Sequence, residues 1–315
     1  MDYLSIISKV IPIIVLISIG YILKLNRFIS KNTIEEIKKL IINISLPALL
    51  FTSFLNLEIK LKYLLIILLI FASNILMLYI GKLIGRFIKK NDPYFPLLFG
   101  GFEMGMLGFP LFGIVYGTDN IKYIGVLDIG QEFYVWFILL AILLNLRNGE
   151  KNYRKLFHSF ITSPVILAIF FALLFNIFEI KDFIVSNSLL VSLLESVNLV
   201  GSITIPLILI VIGYEAKFRI SNFYLPLKII FIRLFSLLIL AVILNKYILT
   251  GLLNLERMYN IALMTMFILP PPFIIPLFIK KEEIKGKEYI YNTLSLGLII
   301  SLLAFIVLTV FYGSV

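Results

Sequence analysis

Few residues in this chain carry chemistry, and several fall in one place. Residues 100–116 read Gly-Gly-Phe-Glu-Met-Gly-Met-Leu-Gly-Phe-Pro-Leu-Phe-Gly-Ile-Val-Tyr, an apolar run holding one carboxylate, Glu103, with five glycines and Pro110. An ionisable group inside such a run is costly and marks a functional position by default. With Met104 beside it, Gly105, Gly108 and Pro110 predict a helix that kinks or unwinds, because proline lacks a donor and glycine frees the backbone. A second run carries Asp128, Gln131 and Glu132 on one helical face by their three- and four-residue spacing. Three carboxylates in one polar seam do not all stay ionised without protons or a cation. That chemistry fits H+ or Na+ as a coupling ion near Glu103, with no other cofactor and no dedicated metal site.

Arg233 sits about 8–12 Å along its helix from the basic end of an apolar run. Three roles suit it: pairing with one of the carboxylates, holding a substrate anion, or snorkelling to the interface. Residues 269–276, Leu-Pro-Pro-Pro-Phe-Ile-Ile-Pro, interrupt another run. Pro270, Pro271 and Pro272 cannot continue an α-helix and favour an extended link between two half-helices. Asn43, Pro47, Asn74, Asn198, Ser202, Thr204 and Pro206 are further candidates to line a pathway, and the polar ones among them could equally bond within a helix bundle. Enzymatic chemistry finds little support. There is no cysteine and no HExxH pattern, and the single histidine, His158, lies in a basic loop.

The elements that must position these groups are apolar helices. The chain of 315 residues is 61% hydrophobic and only 15% charged, far from a soluble domain. Ten runs near the length that crosses a bilayer recur at 4–23, 37–55, 63–80, 94–116, 121–146, 160–180, 189–213, 225–244, 258–279 and 289–311. They are continuous rather than alternating, which excludes a β-barrel. The first ten residues lack a basic start and a small-residue cleavage site, so they read as the first span rather than a signal peptide. The expected fold is an all-α polytopic membrane protein of ten transmembrane helices. Its partner is the lipid bilayer of the cell membrane. The net charge of +10 comes from short loops and does not imply nucleic acid.

Lysine and arginine set the expected orientation. Loops after odd-numbered spans carry Lys24, Arg27, Lys31, Lys38 and Lys39; Lys82, Arg86, Lys89 and Lys90; Arg147, Lys151, Arg154 and Lys155; Lys217, Arg219 and Lys228; and Lys280, Lys281, Lys285 and Lys287. The even-numbered loops share only Lys60, Lys62, Lys122, Lys181, Lys246 and Arg257. Both termini are therefore expected outside the cytoplasm. A division near residue 150 gives five spans in 1–150 and five in 151–315, the second set entering with opposite polarity. Prolines recur at nearly one offset, Pro47 with Pro206 and Pro110 with Pro270. The expectation is a 5+5 inverted repeat with broken, crossing helices 4 and 9, a common architecture for a solute site at the bilayer midplane.

The order of these features resembles the auxin efflux carrier family, which includes PIN-type carriers and prokaryotic malate-type permeases. The likeness rests on ten spans, on Leu46-Pro47-Ala48-Leu49-Leu50-Phe51 in span 2, on Gly108-Phe109-Pro110 in span 4, and on the break in span 9. It implies a fold like that of the bile acid:sodium symporters, with a scaffold from helices 1, 2, 6 and 7 and a moving core from helices 3–5 and 8–10. It further implies a homodimer through the scaffold and a small organic solute, an organic anion, as cargo. The chain departs from the family in having Glu103 where an asparagine is common, and three prolines where span 9 usually has one. The resulting expectation is an elevator-type secondary active transporter coupled to H+ or Na+. A channel or solute sensor of the same fold is the alternative.

Overall fold

The computed structural model describes residues 3–55, 57, 60–88, 92–148, 153–215, 223–279 and 287–312. Among the basic loop residues counted above, Lys89, Lys90, Lys151, Lys217, Arg219, Lys280, Lys281 and Lys285 lie outside them, as do residues 150 and 151 at the proposed division. The described residues are helical with no strand. In chain order the α-helices are α1 Tyr3–Leu25, α2 Lys31–Leu40, α3 Leu46–Leu55, α4 Lys62–Ile88, α5 Phe109–Tyr116, α6 Ile121–Tyr134, α7 Leu140–Asn148 and α8 Tyr153–Ile161. They continue as α9 Pro164–Ile177, α10 Ile180–Ser186, α11 Ser188–Ser202, α12 Thr204–Glu215, α13 Tyr224–Ile243, α14 Arg257–Ile268 and α15 Glu288–Tyr312.

Among the described residues, six continuous helical segments are long and apolar enough to cross a membrane: Lys31–Leu55, Lys62–Ile88, Thr118–Arg147, Ser188–Glu215, Tyr224–Leu252 and Glu288–Tyr312. Ile11–Leu25, Met104–Tyr116 and Pro164–Ile177 are shorter apolar helices. Length and composition alone thus support fewer crossings than ten. The shortfall has a physical cause in two runs, 94–116 and 258–279, where glycine and proline interrupt the helix.

Two packing neighbourhoods organise the bundle. In one, α1 lies along α12, α3 packs on α9 and α11, and α12 touches α2. The α1–α12 crossing is backbone to backbone: a Cβ on Gly20 would lie 1.9 Å from Ile210 O, and one on Gly213 1.9 Å from Ile17 O. Small residues allow this approach where no hydrophobic force between helices is available. Lys38 Nζ meets a Glu215 carboxylate oxygen at 2.6 Å, joining α2 to α12. In the other neighbourhood α4 packs on α6, and α13 packs on α14 and α15. Here Lys287 Nζ and Tyr289 Oη converge on Asp92 at 2.7 and 2.9 Å, clasping the start of α15 to the chain leading into the fourth run.

Candidate functional site

The two interrupted runs meet. The fourth begins as a four-residue 3-10 helix, Phe95–Leu98, unwinds through 99–103, and resumes in a π-helical turn, Met104–Gly108, that runs into α5. In the ninth, α14 ends at Ile268, Leu269 is extended, residues 270–272 are non-helical, and a short 3-10 helix, Ile275–Phe278, follows. The unwinding precedes Pro110 rather than occurring at it, which corrects the sequence expectation. Pro110 is the second residue of α5, and the wide π turn before it leaves room for a residue with no donor. The break itself comes from Gly100 and Gly101, the latter at φ +79°. A second correction concerns the expected half-helices: each broken run has one regular half and one 3-10 stub.

Accounting for the backbone explains how the junction is held. Three prolines in a row supply carbonyls and no donors. Pro270 O accepts from Glu103 N at 3.0 Å, so the two runs are joined main chain to main chain. The first donor after the prolines, Phe273 N, gives its hydrogen to Glu103 Oε2 at 2.7 Å. Glu103 Oε1 accepts from Met106 N at 3.3 Å and caps its own helix. One carboxylate therefore serves amides of both broken runs, and it lies at the positive N-terminal end of the 104–116 helix.

The opposite pole is closed by Arg233. Its guanidinium donates to Leu269 O just past the end of α14, to Gly101 O at 2.6 Å and to Phe99 O at 3.3 Å. It lies 5.1 Å over the Phe102 ring, and the residue is 2% exposed. Arg233 therefore neither snorkels nor, among the described residues, pairs with a carboxylate. Its planar fork satisfies three carbonyls freed by unwinding, a task suited to arginine. The cation at the helix C-terminal pole and Glu103 at the N-terminal pole are the chain's own counter-charges to the two dipole ends.

Neighbouring helices complete the accounting. Asn74 on α4 accepts from Gly101 N at 2.7 Å through Oδ1. Ser301 on α15 donates to Ile268 O at 2.6 Å. Gln131 on α6 donates to Phe102 O at 2.8 Å and to Asp128 Oδ1 at 3.3 Å. Both of those partners accept from it, which sets the amide orientation, and among the described residues Gln131 Oε1 is left buried without a partner. Asp128 is 1% exposed. Glu132 turns instead to Trp136 Nε1 at 2.7 Å.

The remaining candidates are dispersed. Met104 is buried and Gly108 packs against it and Leu269, whereas among the described residues Gly105 has only Leu46 near its face. Pro271 and Pro272 lie in the non-helical link, Pro272 against Gly101. Asn43 is exposed and bonds Lys39 O in its own turn. Pro47 follows a π turn, Ile41–Ser45, and Pro206 follows the break at Ile203 between α11 and α12. Thr204 is buried, its hydroxyl unpartnered among the described residues. Ser202 lines a separate cavity of about 580 Å³ between α3, α11 and the turn before α6. Sequence reasoning did not single out Gly101 or Ser301 individually, nor Asp119 and Glu195 in that cavity. Only the charge of Asp119 and Glu195 offered any signal.

A family model described as membrane transport protein matches residues 5–312, nearly the whole chain. The chain belongs to that family. This is the family of the auxin efflux carriers that the sequence resembles, and its members are membrane transporters. With the apolar helices above, it makes this a multi-pass membrane transport protein. A search among curated proteins found no match.

Proposed function

We propose that this chain is a secondary active carrier for a small organic solute, with its transport site at the junction of the two broken runs. The observation that carries this is the junction itself: two unwound segments, buried, joined through Glu103 N and Pro270 O, and closed by a carboxylate at one pole and a guanidinium at the other. Irregular backbone is tolerated at membrane depth where protein or a wet cavity surrounds it, and carriers place their sites there. In this reading all ten apolar runs cross the cell membrane as two inverted sets of five. The termini face outward, as the loop charges favour. The α1–α12 and α2–α3–α9–α11 neighbourhood would be the static scaffold, able to pair as a homodimer, and the α4–α6 and α13–α15 neighbourhood the moving core.

The coupling ion in this reading is a cation, H+ or Na+. Asp128 and Glu132 are buried acids that need a proton or a cation and have no ion-pair partner in Arg233, and the Gln131 Oε1 beside Asp128, unpartnered among the described residues, is a neutral acceptor with capacity to spare. An organic anion, the cargo the family resemblance implies, would need Glu103 neutralised. Counterflow in proteoliposomes tests the proposal. Labelled solute should exchange against internal unlabelled solute and accumulate down an imposed H+ or Na+ gradient. Single-channel currents far above carrier rates would identify a channel, and solute binding without counterflow would identify a sensor.

A further inference from the structure

We propose that the groove between the first half of α13 and the middle of α15 holds one anionic phospholipid, its phosphate on Lys228 and an acyl chain between the helices. The site lies on the membrane face and does not depend on the carrier reading. The sequence of α13 divides by face: Pro226, Ile229, Ile230, Arg233 and Leu237 are buried, whereas Tyr224, Leu227, Lys228 and Phe231 are exposed. The exposed set follows the three- and four-residue spacing that puts side chains on one side of a helix. Where α13 packs on α15, that side borders a cavity of about 580 Å³, with Ile300 of α15 among its walls. The volume is in the range that holds a small molecule. Apart from Lys228 and Tyr224, every lining residue is leucine, isoleucine or phenylalanine.

Depth and charge select the occupant. From Tyr224 to Leu234 the groove follows about 15 Å of helix rise, the hydrocarbon thickness of one leaflet of a bilayer about 30 Å thick. Its polar residues, Tyr224 and Lys228, are confined to the first two turns of α13, the level at which aromatic rings and lysines mark a membrane interface. Beyond them the walls are apolar, as an acyl chain requires. Among the described residues no acid pairs with Lys228. The chain leading into α13 adds Lys217 and Arg219, while its acid, Glu215, is paired with Lys38. This end of the groove is therefore positive and faces the headgroups of the leaflet on the lysine-rich side of the bundle, where basic residues between helices attract anionic lipid. A zwitterionic lipid offers the same chains with a headgroup cation that Lys228 repels. The inner side of α13 carries Arg233 to the junction, so a lipid seated outside braces the helix that closes it.

The test uses the purified, delipidated full chain in detergent micelles and three probes: dioleoyl phosphatidylglycerol, dioleoyl phosphatidylcholine and glycerol phosphate. Melting temperature is followed against probe concentration for the natural protein and for Lys228→Gln, Leu227→Trp and Lys82→Gln. All three positions are exposed, so each variant should fold, which its probe-free melting temperature verifies. Phosphatidylglycerol should stabilise the natural protein by mass action at concentrations where phosphatidylcholine, with the same chains, does not. Glycerol phosphate should have no effect, because it lacks the chains. Lys228→Gln should need about fivefold more phosphatidylglycerol, the effect of one basic residue at an anionic surface. Leu227→Trp keeps the charge and fills the groove, and it should weaken the response as well. Lys82→Gln removes a basic residue at the same end of α4 and should respond like the natural protein. An equal response to both lipids, a shift with glycerol phosphate, an unchanged response in Lys228→Gln or Leu227→Trp, or a loss in Lys82→Gln as large as in Lys228→Gln would each overturn the inference. The last of these would mean diffuse attraction to the surface rather than a seat in the groove.

Discussion

Replacing Arg233 by lysine keeps the charge and removes the fork. The guanidinium reaches Phe99 O, Gly101 O and Leu269 O from three different nitrogens. A lysine ammonium is one atom on a flexible stem, and it can serve one of these carbonyls well, so about two bonds are lost. Hydrogen bonds to charged groups contribute about 1.5–3 kcal/mol each, which sets an upper range of roughly 3–6 kcal/mol. Interhelical bonds measured in membranes average about 0.6 kcal/mol with a maximum near ~1.7, which sets a lower range of roughly 1–3 kcal/mol. The burial of the site and the carbonyls left unpaired place Arg233→Lys between these, at roughly 2–5 kcal/mol. Equilibrium unfolding of the ligand-free protein in mixed micelles measures it. If Arg233 instead held a substrate anion, the lysine variant would lose solute binding with little change in ligand-free stability. A loss below about 0.5 kcal/mol would refute the clasp, since that is smaller than one membrane hydrogen bond.

Three further outcomes follow from the same junction. Gly101→Ala should be strongly destabilising, because φ is +79° and the added Cβ would lie 2.7 Å from Pro272 Cγ; roughly 2 kcal/mol or more is expected from strain and overlap together. Gly105→Ala is its control, since the nearest atom to the added methyl is 3.8 Å away, and its stability should lie within about 0.5 kcal/mol of the natural protein. Asn74→Ala strands the Gly101 amide and should cost about 1–3 kcal/mol, with coupling to Arg233→Lys in a double-mutant cycle because both hold the same glycine.

What was legible in the sequence and what was not divide along physical lines. Run length and loop charge needed only composition, and the three prolines announced an extended stretch because no helix accommodates them. Glu103 stood out because a carboxylate in an apolar run is conspicuous whatever it touches. The position of the break was less legible. Pro110 is the strongest helix breaker in its run, yet a proline at the start of a helix is harmless, and the two glycines upstream determine where the chain unwinds. Arg233 is conspicuous in an apolar run but its partners are not, because they are backbone carbonyls, which every residue has and which leave no pattern in a sequence. The same holds for Ser301, an ordinary serine in an apolar helix until Ile268 O needs a donor. Asp119 and Glu195 are unremarkable loop and helix-end acids in one dimension. Only the packing of α11 beside α3 and the turn before α6 brings them to one cavity.

If the Glu103 carboxylate links the transport junction to a coupling cation, Glu103→Gln should break that link. Glutamine keeps one acceptor for Phe273 N or Met106 N and turns a donor toward the other, a loss of about 1–3 kcal/mol that should leave the protein folded. In proteoliposomes, with a solute established by counterflow, the natural protein should accumulate it down an H+ or Na+ gradient. The variant should lose that gradient dependence or lose flux altogether while remaining folded. Unchanged, gradient-driven accumulation by Glu103→Gln would show that Glu103 takes no part in coupling.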